Sequence, residues 1–227
     1  MTPKLSHIEA CVFDAYGTLF DVNSAAQGAQ DLLGEKWQPL AELWRSKQLQ
    51  YTWLRAIEGR HADFWAVTGD ALDYALAALG LADADLRTRL MNLYLTLAAF
   101  PEVPDVLRRL QAGGLKTAIL SNGTPKMLAA AVANAGIGAS LDAVLSVEEV
   151  QVYKPNAEVY SLAVERLGLP AEAIAFVSSN GWDAWAAADF GLRALWCNRQ
   201  RQPPERLPGE PAAVIASLGE LPALVGA

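Results

Sequence analysis

Near its start the chain carries an almost unbroken apolar run, Ile8-Glu9-Ala10-Cys11-Val12-Phe13, that stops on a carboxylate at Asp14. A short apolar run of this kind reads as a strand covered on both faces, and such strands belong to parallel sheets packed between helices. Gly17 then allows the backbone to turn sharply. Open α/β sheets bind ligands beyond the carboxyl ends of their strands, so Asp14 either shapes a turn or serves a site. The remainder of the sequence decides between the two.

From Asn23 to Ala99 the pattern is helical, with no strand signal. Asn23 or Ser24 is the expected N-cap, with Gln27 and Asp31 in the first turns. A second helix from Pro39 places Leu40, Leu43, Trp44, Lys47, Tyr51 and Leu54 on one face. A neighbouring stripe holds Arg45, Leu49, Thr52 and Trp53. Further helices are expected over Ala62 to Leu79 and Asp83 to Leu97. Four of the chain's seven tryptophans (Trp37, Trp44, Trp53 and Trp65) fall here, where core packing is their expected use. So long a helical stretch exceeds one crossover between parallel strands. It reads as an insertion: residues 1–20 and 99–227 form the core domain, and residues 21–98 a helical cap.

Strands and helices then alternate. Glu102 to Gln111 is a helix closed by Gly113-Gly114. Strands are expected at Leu115–Leu120, Ala143–Ser146, Ala173–Val177, Arg193–Cys197 and Ala213–Ile215. Thr124 caps and Pro125 opens one intervening helix. Another follows Tyr153-Lys154-Pro155-Asn156 and carries Val159, Tyr160, Ala163, Val164 and Leu167 on one face. A third runs to Phe190 after Ser178-Ser179-Asn180-Gly181-Trp182-Asp183. Residues 201–211 form a Pro-rich loop, and a helix over Leu218–Leu224 closes the chain. The fold class is therefore α/β, a doubly wound parallel sheet with an inserted helical domain.

A net charge of −7 gives no basic stripe for nucleic acid. No apolar run reaches the roughly 18 residues of a membrane span. The first residues lack a signal peptide's apolar stretch, so the expected location is the cytoplasm. Cys11 and Cys197 lie in apolar runs and read as buried thiols. With only His7 and His61, a histidine triad or multi-histidine metal site is not expected. In this net-acidic chain an anionic ligand needs local cations aimed at it.

The turns after Asp14, Ser121 and Ser178 deliver polar groups to one sheet edge, and Lys154, expected at a helix start, joins them. A lysine beside Asp14 favours its ionised, nucleophilic form. The Ser121-Asn122-Gly123 turn offers N–H groups to an anion. Asp183 is a second carboxylate, fit for general-base work. Taken singly, Ser121 reads as a cap, Lys154 as a surface residue and Asp183 as a helix-dipole partner. Their convergence on one edge favours a site.

Phe13-Asp14-Ala15-Tyr16-Gly17-Thr18-Leu19, Ser121-Asn122-Gly123, Lys154-Pro155 and Ser178-Ser179-Asn180-Gly181-Trp182-Asp183 together resemble the haloacid dehalogenase superfamily. Within it the chain is similar to the L-2-haloacid dehalogenases, including the helix Leu43 to Trp53. Phosphatases of the superfamily carry a second Asp two residues past the nucleophile, where this chain has Tyr16. They also hold Mg²⁺ with acidic residues where this chain has Ser178, Ser179 and Asn180. The resemblance implies no metal and no cofactor.

It implies that Asp14 attacks C2 of a small 2-haloalkanoate, with halide release, inversion and an ester intermediate. Lys154 would hold Asp14 ionised, and Ser121 with the N–H groups near Asn122 would bind the substrate carboxylate. Arg45 and Asn122 would stabilise the halide, with Tyr16, Leu49, Phe64 and Trp182 as walls. Asp183 would activate a water oriented by Ser178 and Asn180. Thr18 and Tyr160 match positions that brace the nucleophile and lysine or contact the site. Trp185-Ala186 departs from relatives that have a smaller residue followed by Gly, with no assigned consequence. A homodimer is the expected assembly. A metal-dependent phosphatase or an inactive binding protein of the same fold are the competing readings.

Overall fold

The computed structural model describes residues 4–22 and 30–227. The opening run becomes strand β1 (Ala10–Phe13), buried at every position. Helices α1 (Gln30–Leu33), α2 (Trp37–Glu58), α3 (Phe64–Ala78) and α4 (Ala84–Leu93) follow. The alternating part comprises α5 (Val103–Ala112), β2 (Lys116–Ser121), α6 (Pro125–Ala135), β3 (Ala143–Ser146) and α7 (Ala157–Leu167). It ends with β4 (Ile174–Ser178), α8 (Gly181–Phe190), β5 (Arg193–Cys197), β6 (Ala213–Ile215) and α9 (Leu221–Val225). The expected N-caps Asn23 and Ser24, with Gln27, lie outside the described residues.

The strands pair in parallel in the order β3-β2-β1-β4-β5-β6, which bears out the doubly wound sheet. Val12 of β1 lies between Ala118 of β2 and Phe176 of β4. The strand order reverses at β1, so Asp14 stands at the switch point of the sheet, where a crevice opens. Its N–H donates to the Val177 carbonyl at 2.9 Å. Gly17 has φ +87°, the left-handed turn that its lack of a side chain permits.

Among the described residues between 21 and 98 there is no strand. The chain leaves and re-enters at adjoining points. Phe20 bridges Ala99 in antiparallel fashion, Asp21 N–H donates to the Ala98 carbonyl, and Phe100 N–H donates to that of Leu19, both at 2.9 Å.

Within this helical region two expectations need correction, and the tryptophans mostly pack on the core as expected. The buried stripe of α2 is Leu40, Trp44, Gln48 and Thr52, whereas Leu43, Lys47 and Tyr51 are only half-buried and Leu54 is exposed. Polar groups prevail there because α3 supplies partners. Trp44 Nε1 donates to the Thr68 carbonyl at 2.8 Å, and Gln48 Nε2 donates to Thr68 Oγ1 at 2.7 Å. Of the four tryptophans only Trp44 is buried. Trp37, Trp53 and Trp65 lie half-buried at the edge of the packing. Finally, α4 ends at Leu93 rather than Leu97. The N–H groups of Tyr94, Leu95 and Thr96 turn to the carbonyls three residues back, which tightens and ends the helix, and Asn134 Nδ2 of α6 donates to the carbonyls of Thr96 and Leu97 beyond it at 3.2 and 3.0 Å.

Among the described residues no helix is long and apolar enough to cross a membrane. Cys11 and Cys197 are buried and unpaired, and desolvation pushes the Cys11 thiol up to about 12.

Candidate active site

Asp14 extends from the end of β1 into a dense set of donors. Lys154 Nζ lies 3.2 Å from its Oδ1. Thr18 Oγ1, one turn further on, donates to Oδ2 at 3.1 Å, and Asn180 Nδ2 donates to the same oxygen at 2.9 Å. The tight Ala15–Phe20 turn places Thr18: the Ala15 carbonyl accepts from the N–H groups of Thr18, Leu19 and Phe20. Thr18 Oγ1 also accepts from Ser179 N–H at 2.8 Å, which ties the β1 turn to the β4 turn.

Lys154 stands just ahead of a helix, as the Tyr153–Asn156 stretch implied. It precedes Asn156, which caps α7, and sits in the turn that enters it, joined to Pro155 by a cis peptide bond. Only 1 % of its side chain is exposed, and its ammonium also meets Asp183 Oδ2 at 2.9 Å. Desolvation alone would lower its pKa. The charges of Asp14 and Asp183 outweigh that and hold it above the ordinary lysine value.

Asp183, in the first turn of α8, is wholly buried. Its Oδ1 accepts from Tyr160 OH at 2.8 Å. Desolvation raises its pKa, helped by the charge of Asp14 and opposed by Lys154. Two buried carboxylates thus share one ammonium. Among the described residues no three of His, Cys, Asp and Glu gather as donors for one ion.

Ten residues close over Asp14 around a small cavity of about 10 Å³. Asp14, Lys154, Asn180, Ser121 and Asn122 form its floor, and Tyr16, Arg45, Leu49, Phe64 and Trp182 complete it. Arg45 comes from α2 and reaches across to Asn180 Oδ1 at 3.3 Å. Tyr16 packs against Phe64 and Tyr94 with ring centroids 5.9 Å apart in each case. Ser121 Oγ accepts from Gly123 N–H at 3.1 Å, and Asn122 Oδ1 accepts from Lys154 N–H at 3.1 Å.

Of the fourteen residues singled out from the sequence, these ten line the cavity and Thr18 touches Asp14 from behind. The other three are not in its wall. Tyr160, expected to contact substrate, lies beneath Asp183. Ser178 Oγ accepts from Asn180 N–H at 3.1 Å and shapes the turn. Asp183 stands behind Lys154.

Sequence reasoning missed Gln48, whose Oε1 accepts from Arg45 Nη1 at 2.7 Å and so aims the guanidinium. Its place three residues after Arg45, on one helical face, was the available signal. It also left Trp185 without a consequence. The Trp185 ring meets Trp196 edge-on at 5.3 Å, and Trp196 Nε1 donates to the Ser179 carbonyl at 3.3 Å. The pair therefore supports the turn that carries Asn180.

A buried Asp–Lys pair thus stands at the sheet's switch point, with Arg45, Leu49 and Phe64 of the helical region in the wall around it. Residues 8–191 match the haloacid dehalogenase-like hydrolase model, and the chain belongs to that family. Among curated relatives it is 44% identical to an (S)-2-haloacid dehalogenase of Pseudomonas fluorescens, over 96% of both chains. A crystal structure of an L-2-haloacid dehalogenase matches with TM-score 0.95 at 46% identity, covering 98% of this chain and 100% of that one. The L-2-haloacid dehalogenase of Xanthobacter autotrophicus with chloropropionic acid covalently bound matches at TM-score 0.87 and 40% identity, covering 96% and 98%.

Proposed function

We propose that the chain is an (S)-2-haloacid dehalogenase, converting L-2-haloalkanoic acids to D-2-hydroxy acids and halide. The observation that carries this reading is Asp14. Among the described residues its Oδ2 is engaged by two donors and its Oδ1 by Lys154 alone, in a pocket whose polar floor faces aromatic rings, Leu49 and the Arg45 guanidinium. The relatives' names, and the covalent chloropropionate of the Xanthobacter enzyme, support the same chemistry.

In the first step Asp14 Oδ1 attacks C2 opposite the halogen. The C–O bond forms as the carbon–halogen bond breaks, the halide leaves with the bonding pair, and C2 inverts. Thr18, Asn180 and Lys154 hold the carboxylate in line, which removes orientational freedom from the reacting pair. Ser121 and the N–H groups near Asn122 take the substrate carboxylate, and the Asn122 side chain stands with Arg45 at the halide. Arg45 faces the developing halide charge, and exclusion of water strengthens its field. No proton is needed by a departing halide, so Tyr16 suffices where a phosphatase keeps an acid.

In the second step water adds to Cγ of Asp14, the acyl C–O bond breaks, and the hydroxy acid departs. Asp183 accepts a proton from that water and returns it to the departing alkoxide, and Ser178 holds the turn from which Asn180 orients the water. A base with a raised pKa takes up the proton more readily than an ordinary carboxylate.

Residues 21–98 act as a cap that carries Arg45, Leu49 and Phe64 over the core. The adjoining stems at Phe20 and Ala99 support this division. A homodimer in the cytoplasm completes the proposal. Exposed Leu54, Ile57 and Tyr74 on α2 and α3 support self-association, and the unpaired thiols suit a reducing compartment.

The test is a single turnover of L-2-chloropropionate in ¹⁸O-labelled water with protein in excess. Chloride release with the label in the Asp14 carboxylate is the expected result. Label first in the lactate would overturn the covalent route, and phosphate-ester hydrolysis without halide release would overturn the substrate class.

A further inference from the structure

Arg199 stands two residues past β5 and is not among the residues lining the cavity. Its side chain is nonetheless fixed at the junction where the chain leaves and re-enters the sheet. Nη1 donates to Glu102 Oε1 at 2.6 Å, and Nη2 donates to the Thr18 carbonyl at 3.1 Å. The guanidinium carbon lies 3.8 Å from the centre of the Phe100 ring. Glu102 Oε1 is itself steadied by Ser217 Oγ at 3.0 Å. Thr18 is the residue whose hydroxyl donates to Asp14 Oδ2. A continuous line of contacts therefore runs from Glu102 through Arg199 and Thr18 to Asp14.

We propose that Arg199 is a positioning residue for the dehalogenation, acting on Asp14 through Thr18. The proposal rests on the reading of Asp14 as the nucleophile. Its physical basis is the planar guanidinium fork, which holds two acceptors at a fixed separation while its face packs on an aromatic ring. One acceptor belongs to the stem by which the chain returns to the sheet, the other to the nucleophile's turn. With both arms engaged, the Thr18 backbone cannot rotate, and its hydroxyl stays aimed at Oδ2. Displacements of a fraction of an ångström at an attacking atom cost rate, not affinity. A lysine here keeps the charge opposite Glu102 but, as a point charge on a flexible stem, cannot hold both acceptors.

The test compares Arg199→Lys, Arg199→Met and Thr18→Ala, and combines Arg199→Lys with Thr18→Ala, on L-2-chloropropionate. Arg199→Lys should lower kcat by about tenfold with KM within about twofold, and slow single-turnover ester formation by the same factor. In the Thr18→Ala background the same change should alter kcat by less than about twofold, because the link it acts through is gone. Wild-type kcat in Arg199→Lys, with or without a lowered Tm, overturns the proposal. So do losses that multiply independently in the double variant. If Arg199→Met fails to fold, the lysine variant and the cycle still decide. A wild-type chain that releases no halide overturns the reading of Asp14 itself, an outcome separate from these.

Discussion

Replacing Lys154 by methionine tests the electrostatic centre of the site most directly, since it removes the charge and keeps most of the volume. The ammonium lies 3.2 Å from Asp14 and 2.9 Å from Asp183. At an effective dielectric of about 20 each attraction is on the order of 5 kcal/mol, most of it spent on offsetting desolvation. Removing one member of a buried ion cluster costs about 3–5 kcal/mol, because the remaining charges stay buried and unpaired. Lys154→Met should therefore lose about that much stability at pH 7.

The sign with pH follows from Asp183. Its folded pKa is already raised, so its stabilising contribution is complete below the unfolded value and lost as pH rises through the folded one. Without Lys154 the folded value rises further, and the variant's deficit should shrink in acid. In the wild type, the raised pKa of Lys154 makes its contribution present up to the ordinary lysine range and lost only above it. Urea unfolding at pH 7 and pH 5, followed by circular dichroism, measures the variant's deficit and its shrinkage in acid. A wild-type midpoint for Lys154→Met at pH 7, or a deficit that grows on acidification, would refute the reasoning.

Gln48→Leu keeps α2 helical but frees Arg45 from its 2.7 Å contact. It should lower kcat/KM for L-2-chloropropionate by about tenfold, and lower Tm by several degrees because Thr68 Oγ1 also loses its buried partner, as read by halide release and calorimetry. Gly123→Ala sets a Cβ 2.8 Å from the Tyr16 ring, driving that ring toward the cavity, and should raise KM several-fold for the longer 2-haloacids first. Because desolvation raises Asp183, the acid limb of the kcat profile should lie above the ordinary carboxylate range, with activity rising as pH rises. Asp183→Asn should abolish that limb and let the ester accumulate, detectable by mass spectrometry of the intact chain.

The parts of the molecule readable from the sequence are those in which one residue type answers to one physical demand. The apolar run before Asp14 admits little but a strand covered on both faces, and turn residues marked where such strands end. Three such turns, each followed by a helix, implied one functional edge before any coordinate. What escaped were positions decided by partners far along the chain. Gln48 and Thr52 occupy a buried helix face only because Thr68 and the helix's own carbonyls satisfy them. Leu97 falls outside its helix because the N–H groups of Tyr94 to Thr96 switch to carbonyls three residues back. Tyr160 was assigned to the site from its match with the family, but no local pattern shows which side of Asp183 a tyrosine will occupy. Arg199 belongs to no motif, and its use emerges only where three distant segments meet.

The pairing of Phe20 with Ala99 also bears on how such a chain can change over generations. Where the two ends of a long excursion are hydrogen-bonded neighbours, the intervening residues impose no distance constraint on the strands below. A tight turn would join those ends, and so would a longer or shorter bundle, with the sheet's register untouched. The roof of the cavity can therefore be lengthened, shortened or exchanged while Asp14 and Lys154 stay where they are.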